Sequence, residues 1–256
     1  MTAIILCAGF ATRMHPLTRD FPKPLLPVAG RPVINYLLDQ LVEIPDLPAV
    51  HIVSNARFFS HFEKWREDYL KNNSKKILPI EIHNDGAESN EGRLGASADL
   101  WLALNCISGA SRILVSAGDN IYRFSIKSLW QQFLHSRHHY VAALPEMNES
   151  KLKKTGVLEL DAQNRVIRQH EKPDRPQSTW SCPPLYFLQE SVRPRLEAFI
   201  NSSANRDAPG YFIDYLCQKE AVYAFKLNAS RLDIGSMDSY QEAERIMRAE
   251  LAKQER

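Results

Sequence analysis

Ala3-Ile4-Ile5-Leu6-Cys7-Ala8-Gly9-Phe10-Ala11-Thr12-Arg13-Met14-His15-Pro16-Leu17-Thr18-Arg19-Asp20-Phe21-Pro22-Lys23-Pro24-Leu25-Leu26-Pro27-Val28 stands near the start of the chain and decides its fold. Ala3 to Leu6 is a short apolar run that predicts a buried first strand. A small-residue turn follows, then Arg13, then Lys23 held between Pro22 and Pro24. A strand that empties into a small-residue loop carrying two cations is how an α/β protein grips a polyphosphate. The two usual phosphate fingerprints are absent. There is no G-x-x-x-x-G-K-[ST], and Ala11 stands where G-x-G-x-x-G needs its second glycine.

Outward from this stretch, the first half alternates short β-branched runs with longer amphipathic segments, the pattern of βα units and a mainly parallel sheet. Val50–Val53, Ile113–Val115 and Tyr140–Leu144 read as strands. Helices are predicted over Arg31–Ile44 with Pro32 in the first helical position, over Phe58–Leu70, over Leu94–Cys106, and over Ser125–Arg137 capped by Ser125. From about Thr155 the texture changes. Gly156–Leu160, a polar turn at Asp161–Arg165 and Val166-Ile167 predict a hairpin. Leu185–Leu188 and Val222–Phe225 read as strands and Glu190–Ile200 as a helix. A terminal helix from about Ser236 carries Tyr240, Ala243, Met247 and Leu251 along one stripe. No repeat or long linker separates domains, so the second half is expected to pack as an insertion over one end of the same sheet.

Composition excludes several classes of function. A chain of 256 residues with a formal net charge of +2 has the length for one sizeable core and too little charge to argue for nucleic acid or an acidic membrane. The N-terminal apolar run is shorter than the roughly 7–15 residues of a signal-peptide core or the roughly 20 of a membrane span. Cys7, Cys106, Cys182 and Cys217 are scattered, without a C-x-x-C pair or paired histidines. They are expected to be free thiols of a reducing cytosol, not zinc ligands or disulfides. His51 and His138-His139 fall in or beside predicted strands and read as structural or surface residues. No Ser/His/Asp or Cys/His set points to a covalent nucleophile.

Three further motifs carry chemistry. Gly118-Asp119-Asn120 follows the Ile113–Val115 strand, and a carboxylate at the C-terminal end of a central strand faces the crevice where α/β sheets bind ligands. His170-Glu171-Lys172-Pro173 sets a carboxylate, able to accept two hydrogen bonds, beside a cation. Leu232-Asp233-Ile234-Gly235 supplies a second acidic candidate. Alone, Gly118-Asp119-Asn120 reads as an ordinary turn and Glu171-Lys172 as a charged strand end; together with the opening stretch they take on a functional reading. In order and spacing, residues 3–28, 91–96, 118–120, 171–173 and 231–240 together resemble the sugar-1-phosphate nucleotidyltransferases, of the glucose-1-phosphate thymidylyltransferase type. The opening stretch is similar to that family's L-A-G-G-x-G-T-R-L-x-P-L-T-x-x-x-P-K-x-L-L-P-V.

The resemblance implies an α/β, Rossmann-like nucleotidyltransferase fold: a mixed, mostly parallel central sheet flanked by helices, with a small β-containing sugar-binding part. It implies one domain, with a nucleotide-binding part over about 1–145, a sugar-phosphate-binding part over about 146–230 and a C-terminal helix over about 236–253. The implied activity is transfer of a nucleotidyl group from an NTP to a sugar 1-phosphate, giving an NDP-sugar and pyrophosphate. Arg13 and Lys23 are the implied catalytic cations. Ala8, Gly9, Ala11, Thr12 and Gly95 are implied to line the nucleotide, Glu171, Lys172 and Asp214 the sugar phosphate, and Asp119 and Asp233 to hold Mg²⁺. This sequence departs from the family pattern at Ala11, at Ala96-Ser97, at Pro184 in place of glycine, and at Arg231 in place of tryptophan. The expected partners are the NTP and the sugar 1-phosphate, with no nucleic acid and no membrane; a homo-oligomer is left open. The left-handed β-helix of longer relatives is missing from the sequence, which argues against acyltransferase activity. Two rival readings stand beside this one. The first is a cytidylyltransferase for a phospho-alcohol such as phosphocholine, with Trp180, Tyr186 and Tyr211 as a conceivable cation cage. The second is a catalytically silent nucleotide-binding regulatory subunit.

Overall fold

The computed structural model describes residues 1–73, 77–202 and 204–254. Strand β1 (Thr2–Leu6) is buried along its whole length, as a strand covered on both faces must be. The chain leaves it through two 3₁₀ turns, Thr12–Met14 and Lys23–Leu25. It then enters a hairpin of β2 (Pro27–Val28) and β3 (Arg31–Pro32) before α1 (Val33–Val42). The predicted helix start at Arg31–Pro32 is therefore corrected. Ala29 (φ 48°) and Gly30 (φ 78°) reverse the chain, and Pro27 and Val28 pair with Pro32 and Arg31, so Pro32 is held extended and α1 begins after it.

The first half continues through β4 (Val50–Ser54), α2 (Phe59–Asn72), β5 (Ile80–Asn84), α3 (Ala96–Cys106), β6 (Arg112–Ala117), β7 (Asn120–Tyr122), α4 (Ile126–Leu134) and β8 (His139–Pro145). Ser125 caps α4, its Oγ accepting from the Ser128 amide, as predicted. The second half contributes α5 (Glu149–Leu152), β9 (Gly156–Leu160), β10 (Val166–Glu171), β11 (Trp180–Cys182), β12 (Leu185–Gln189), α6 (Val192–Ile200), α7 (Pro209–Cys217), β13 (Val222–Lys226), β14 (Arg231–Asp233) and α8 (Met237–Gln254). The β9–β10 hairpin turns where predicted: Asn164 takes φ 63°, and the Asp161 carboxylate accepts from the amides of Gln163 and Arg165.

One mixed sheet runs β10-β9-β11-β8-β12-β6-β1-β4-β5, with β13 also paired to β8. β1 is parallel to β4 and β6, and β4 is parallel to β5. The expectation that the second half packs over one end of the sheet is corrected here. β12 runs antiparallel between β6 and β8, near the centre of the sheet, with Phe187 and Leu188 fully buried. An apolar Leu-Tyr-Phe-Leu strand is stable there because its neighbours satisfy its backbone on both sides.

Side-chain alternation splits the core into two layers. Ala3, Ile5, Val50 and Ile52 face Trp65, Trp130 and Phe133 on α2 and α4, while Ile4, Leu6 and Val53 face Leu100 and Leu104 on α3 and Phe199 and Phe212 on α6 and α7. A third cluster joins Met14, Leu26 and Val28 of the signature stretch to Ile234 and to Ala243 and Met247 of α8. The terminal helix thus sets Ala243 and Met247, with half-buried Tyr240, against the loop that carries the two cations, while Leu251 of the predicted stripe stays outside this cluster. Among the described residues no helix is long and apolar enough to cross a membrane.

Candidate active site

The loop after β1 is tied down at its root. The Cys7 amide donates to Val53 O at 2.8 Å, and Asn55 Nδ2 donates to Ala8 O at 2.8 Å. At Gly9 an added Cβ would meet nothing within 4 Å. Ala11 takes the left-handed conformation, φ 49° and ψ 39°, and its carbonyl accepts from Thr18 Oγ1 at 2.8 Å. Alanine therefore occupies a position that glycine would take without strain. Thr12 and Arg13 are exposed on the following turn, and among the described residues no carboxylate pairs with Arg13.

Lys23 and Asp119, ninety-six positions apart, form an ion pair in which Lys23 Nζ donates to Asp119 Oδ2. Gly118 permits this approach: a Cβ there would lie 2.4 Å from Cys7 Sγ and 3.3 Å from Pro24 Cβ. Asn120 Nδ2 donates to Asp119 Oδ1 at 2.7 Å. Burial alone would raise the Asp119 pKa, but the Lys23 charge and hydrogen bond, with Arg231 beyond, hold it below the ordinary carboxylate range.

Asp233 reaches the same place through strand pairing. β14 runs antiparallel to β7 with Asp233 opposite Asn120, and the Ile234 amide donates to Asp119 O at 3.0 Å. Arg231 lies between them, donating to Asn120 Oδ1, standing 3.4 Å from Asp233 Oδ1, and reaching Thr155 Oγ1 at 3.4 Å. In sequence Arg231 registered only as a departure from tryptophan; in the fold it links the two acidic motifs to the start of β9. Two hard carboxylates, one in the turn between β6 and β7 and one at the end of the paired β14, the first kept ionised by its surroundings, are a donor set that suits Mg²⁺, which takes one or two carboxylates and fills its shell with phosphate and water. The residues present fit that ion.

Glu171 and Lys172 stand at the end of β10. Glu171 is largely buried, and burial raises its pKa while the neighbouring Lys172 ammonium, 3.8 Å away, draws it back. Lys172 has φ 49°, donates its amide to Thr155 O at 3.1 Å and leaves its side chain about half exposed. Two glycines make room for the carboxylate. A Cβ at Gly210 would lie 2.1 Å from Glu171 Oε2, and one at Gly156 would lie 2.7 Å from Gln169 Nε2. Gln169, which the motifs did not flag, is 3% exposed, and neither its Oε1 nor its Nε2 finds a hydrogen-bond partner within the protein. The sequence signal for it was the period of two: Gln169 and Glu171 share a face of β10.

Two expected site residues have structural duties. Gly95 (φ 93°) is pressed against the 206–207 backbone, where a Cβ would lie 2.5 Å from Arg206 O. The first amides of α3, Ala96 and Ser97, donate to Asp207 O and Arg206 O. Arg93 Nε adds an ion pair to Asp207 at 2.6 Å, so this element fastens the two halves together across a cleft of about 370 Å³. Asp214 does not join the sugar-proximal group. Its carboxylate accepts from Arg168 Nε and Nη2 at 2.9 and 3.0 Å and from the Gln169 amide at 3.0 Å, clamping α7 to β10. Pro184, standing where relatives carry glycine, presents its carbonyl to the Ala117 amide at 3.1 Å and to Tyr122 Oη at 3.3 Å. The cysteines are free, as expected.

A mixed α/β sheet with a cationic loop after its first strand and two carboxylates at the neighbouring strand ends is the arrangement α/β proteins use to bind phosphate groups. Residues 2–250 match the nucleotidyl transferase family, and this chain belongs to that family. It is 31% identical over 237 residues to the bifunctional protein GlmU of Methanococcus maripaludis and 27% identical over 236 residues to that of Methanocaldococcus jannaschii. In each case the alignment covers 92% of this chain and 51% of the relative, so the chain spans about half the length of these relatives. Among solved structures, a UDP-glucose pyrophosphorylase complexed with UDP-glucose superposes with a TM-score of 0.81 at 18% identity, covering 97% of this chain and 98% of that one. A protein of Bacillus anthracis assigned as a glucose-1-phosphate thymidylyltransferase, crystallised with sucrose, superposes with a TM-score of 0.79 at 19% identity, covering 97% and 95%. These likenesses establish the fold.

Proposed function

We propose that this chain joins an NTP to a sugar 1-phosphate, releasing pyrophosphate and giving an NDP-sugar. The observation that carries this reading is the assembly of Lys23, Asp119, Arg231 and Asp233 into one cluster, tied through Thr155 to Glu171–Lys172. Sequence order scatters these groups; the fold gathers them at the ends of the central strands.

An NTP carries about four negative charges that must be countered before its α-phosphorus accepts an anionic nucleophile. Arg13, free of any carboxylate among the described residues, serves the β- and γ-phosphates, and Lys23 serves the α-phosphate, leaving its resting pair with Asp119 when the nucleotide enters. Glu171 accepts from sugar hydroxyls, and Lys172, with its exposed ammonium, holds the sugar's phosphate. A phosphate oxygen of the sugar 1-phosphate then attacks the α-phosphorus in line and pyrophosphate departs opposite, so catalysis is positioning plus charge neutralisation. Asp119 and Asp233 are the residues that would hold Mg²⁺, which would supply positive charge to stabilise the charge developing on phosphate oxygens.

The phospho-alcohol reading has less support. Trp180 already lies under the Lys226 ammonium, 4.4 Å from its ring centroid, and Tyr186 is 2% exposed within the core, so neither is free to line a cage for a quaternary ammonium. A silent regulatory subunit would have no need of the paired cations and carboxylates.

The test is pyrophosphate release with and without Mg²⁺ across dTTP, UTP, CTP and GTP, each offered glucose 1-phosphate, other hexose 1-phosphates and phosphocholine. Turnover with one NTP and one sugar phosphate is expected, and Asp119→Asn should lower kcat by about 10²–10³. Near-normal turnover of Asp119→Asn would remove it from the metal site. Release with CTP and phosphocholine alone would transfer the assignment to the phospho-alcohol branch.

A further inference from the structure

Away from the cluster at the strand ends, the parallel pairing of β4 and β5 gathers two imidazoles and a carboxylate. His51 lies opposite Glu81, and Val53 lies opposite His83, so Glu81 and His83, two residues apart, fall on the same face as His51. His51 Nδ1 is 3.0 Å from His83 Nε2 and 3.4 Å from Glu81 Oε2. All three candidate donor atoms lie within 4.8 Å of one another. His51 is buried, His83 half-buried and Glu81 exposed, so the group has a fixed floor and an open side toward solvent.

These separations suit a tetrahedral ion. With bonds of about 2.0–2.1 Å, two donors on tetrahedral zinc stand about 3.3–3.4 Å apart. The observed 3.0 and 3.4 Å bracket that edge. The imidazole planes lie 19° apart with centroids at 5.2 Å, and two imidazoles bound to one zinc have centroids separated by about the same distance. An ion can therefore replace the His–His hydrogen bond with a ring rotation and a shift of a few tenths of an ångström. Two nitrogens and a carboxylate oxygen are a zinc-type donor set; magnesium prefers all-oxygen coordination.

We propose that His51, Glu81 and His83 form a binding site for a zinc-class divalent ion, with water as the fourth ligand, that pins the edge strand β5 to β4. The site lies on the far side of β1 from β6 and does not depend on the assignment of the reaction.

The experiment is a zinc titration of the full chain by calorimetry in excess Mg²⁺, which keeps zinc from Asp119 and Asp233, followed by cobalt substitution read in the visible spectrum. One ion per chain is expected, with the intense absorption of tetrahedral cobalt. Tm should rise by about 5–10 °C at roughly a hundredfold excess of zinc over its Kd. His83→Asn should weaken binding by at least about a hundredfold and Glu81→Gln by about tenfold, because each removes an anionic or imidazole donor. Glu81 is exposed and His83 half-buried on the edge strand, so the zinc-free Tm of Glu81→Gln should match the parent, that of His83→Asn should stay within a few degrees of it, and Mg²⁺-supported turnover should be unchanged in both. Absence of binding by the parent chain, or undiminished binding by His83→Asn, overturns the proposal.

Discussion

At the scale of single residues, the site is built by atoms that make room as much as by atoms that react. Ala11 spends backbone strain in the left-handed region, so Ala11→Gly should raise stability by about 0.5–1 kcal/mol, seen as a higher denaturation midpoint at unchanged m-value. Gly118 is the opposite case. Gly118→Ala would drive a methyl into Cys7 Sγ and crowd Pro24, and should cost about 1–3 kcal/mol in thermal unfolding while displacing Asp119 from Lys23. Gln169 holds an unpartnered buried amide beside Glu171, a standing cost that a ligand hydroxyl can relieve. Gln169→Leu should raise KM for the sugar phosphate and leave KM for the nucleotide unchanged; equal effects on both substrates would show the residue to be purely structural.

At the scale of elements, the first turn of α3 stores a proton. Asp99 on α3 is buried against Asp85 at the end of β5, and burial, then the Asp85 charge, push its pKa up to about 8 from 3.8. Asp85 is raised as well, chiefly by burial. In the unfolded chain Asp99 gives up its proton near the ordinary value, whereas the folded chain keeps it until about 8. Between those limits unfolding releases a proton, so this pair's contribution is fully present at acid pH and is lost as pH rises through the window. Asp99→Asn, which stays neutral, should therefore raise Tm more at about pH 9 than at about pH 5. An equal shift at both pH values would show that the pair does not titrate in this way.

At the scale of the whole molecule, the two halves are interleaved. β12 enters between β6 and β8, β14 pairs with β7, and Arg231 spans from the acidic cluster to Thr155 at the head of β9. Arg231→Met keeps much of the side chain's bulk but severs this link. It should lower kcat/KM for the sugar phosphate by at least about tenfold while far-UV circular dichroism stays unchanged, because the lost contacts are polar and lie outside the apolar clusters. A variant with parental kinetics would remove Arg231 from the coupling of the two parts.

The amino-acid sequence by itself determined the strands β1, β4, β6, β8 and β12, the helices α1–α4, α6 and α8, the hairpin at Asp161–Arg165 and the charged residues that make up the candidate site; β5, β7, β11 and α7 it left unread. It could do so because periodicity, turn chemistry and ordered motifs are local properties. The tertiary structure alone decided which of those charges meet. Lys23 finds Asp119, and Asp233 reaches Asp119 through the β14–β7 register, while Asp214 turns away to Arg168. His51 and His83, thirty-two positions apart, become neighbours solely through the parallel register of two strands. The place of β12 in mid-sheet was equally hidden, because an apolar run of four residues, Leu185–Leu188, reads alike at an edge or at the centre until its hydrogen-bonding neighbours are known.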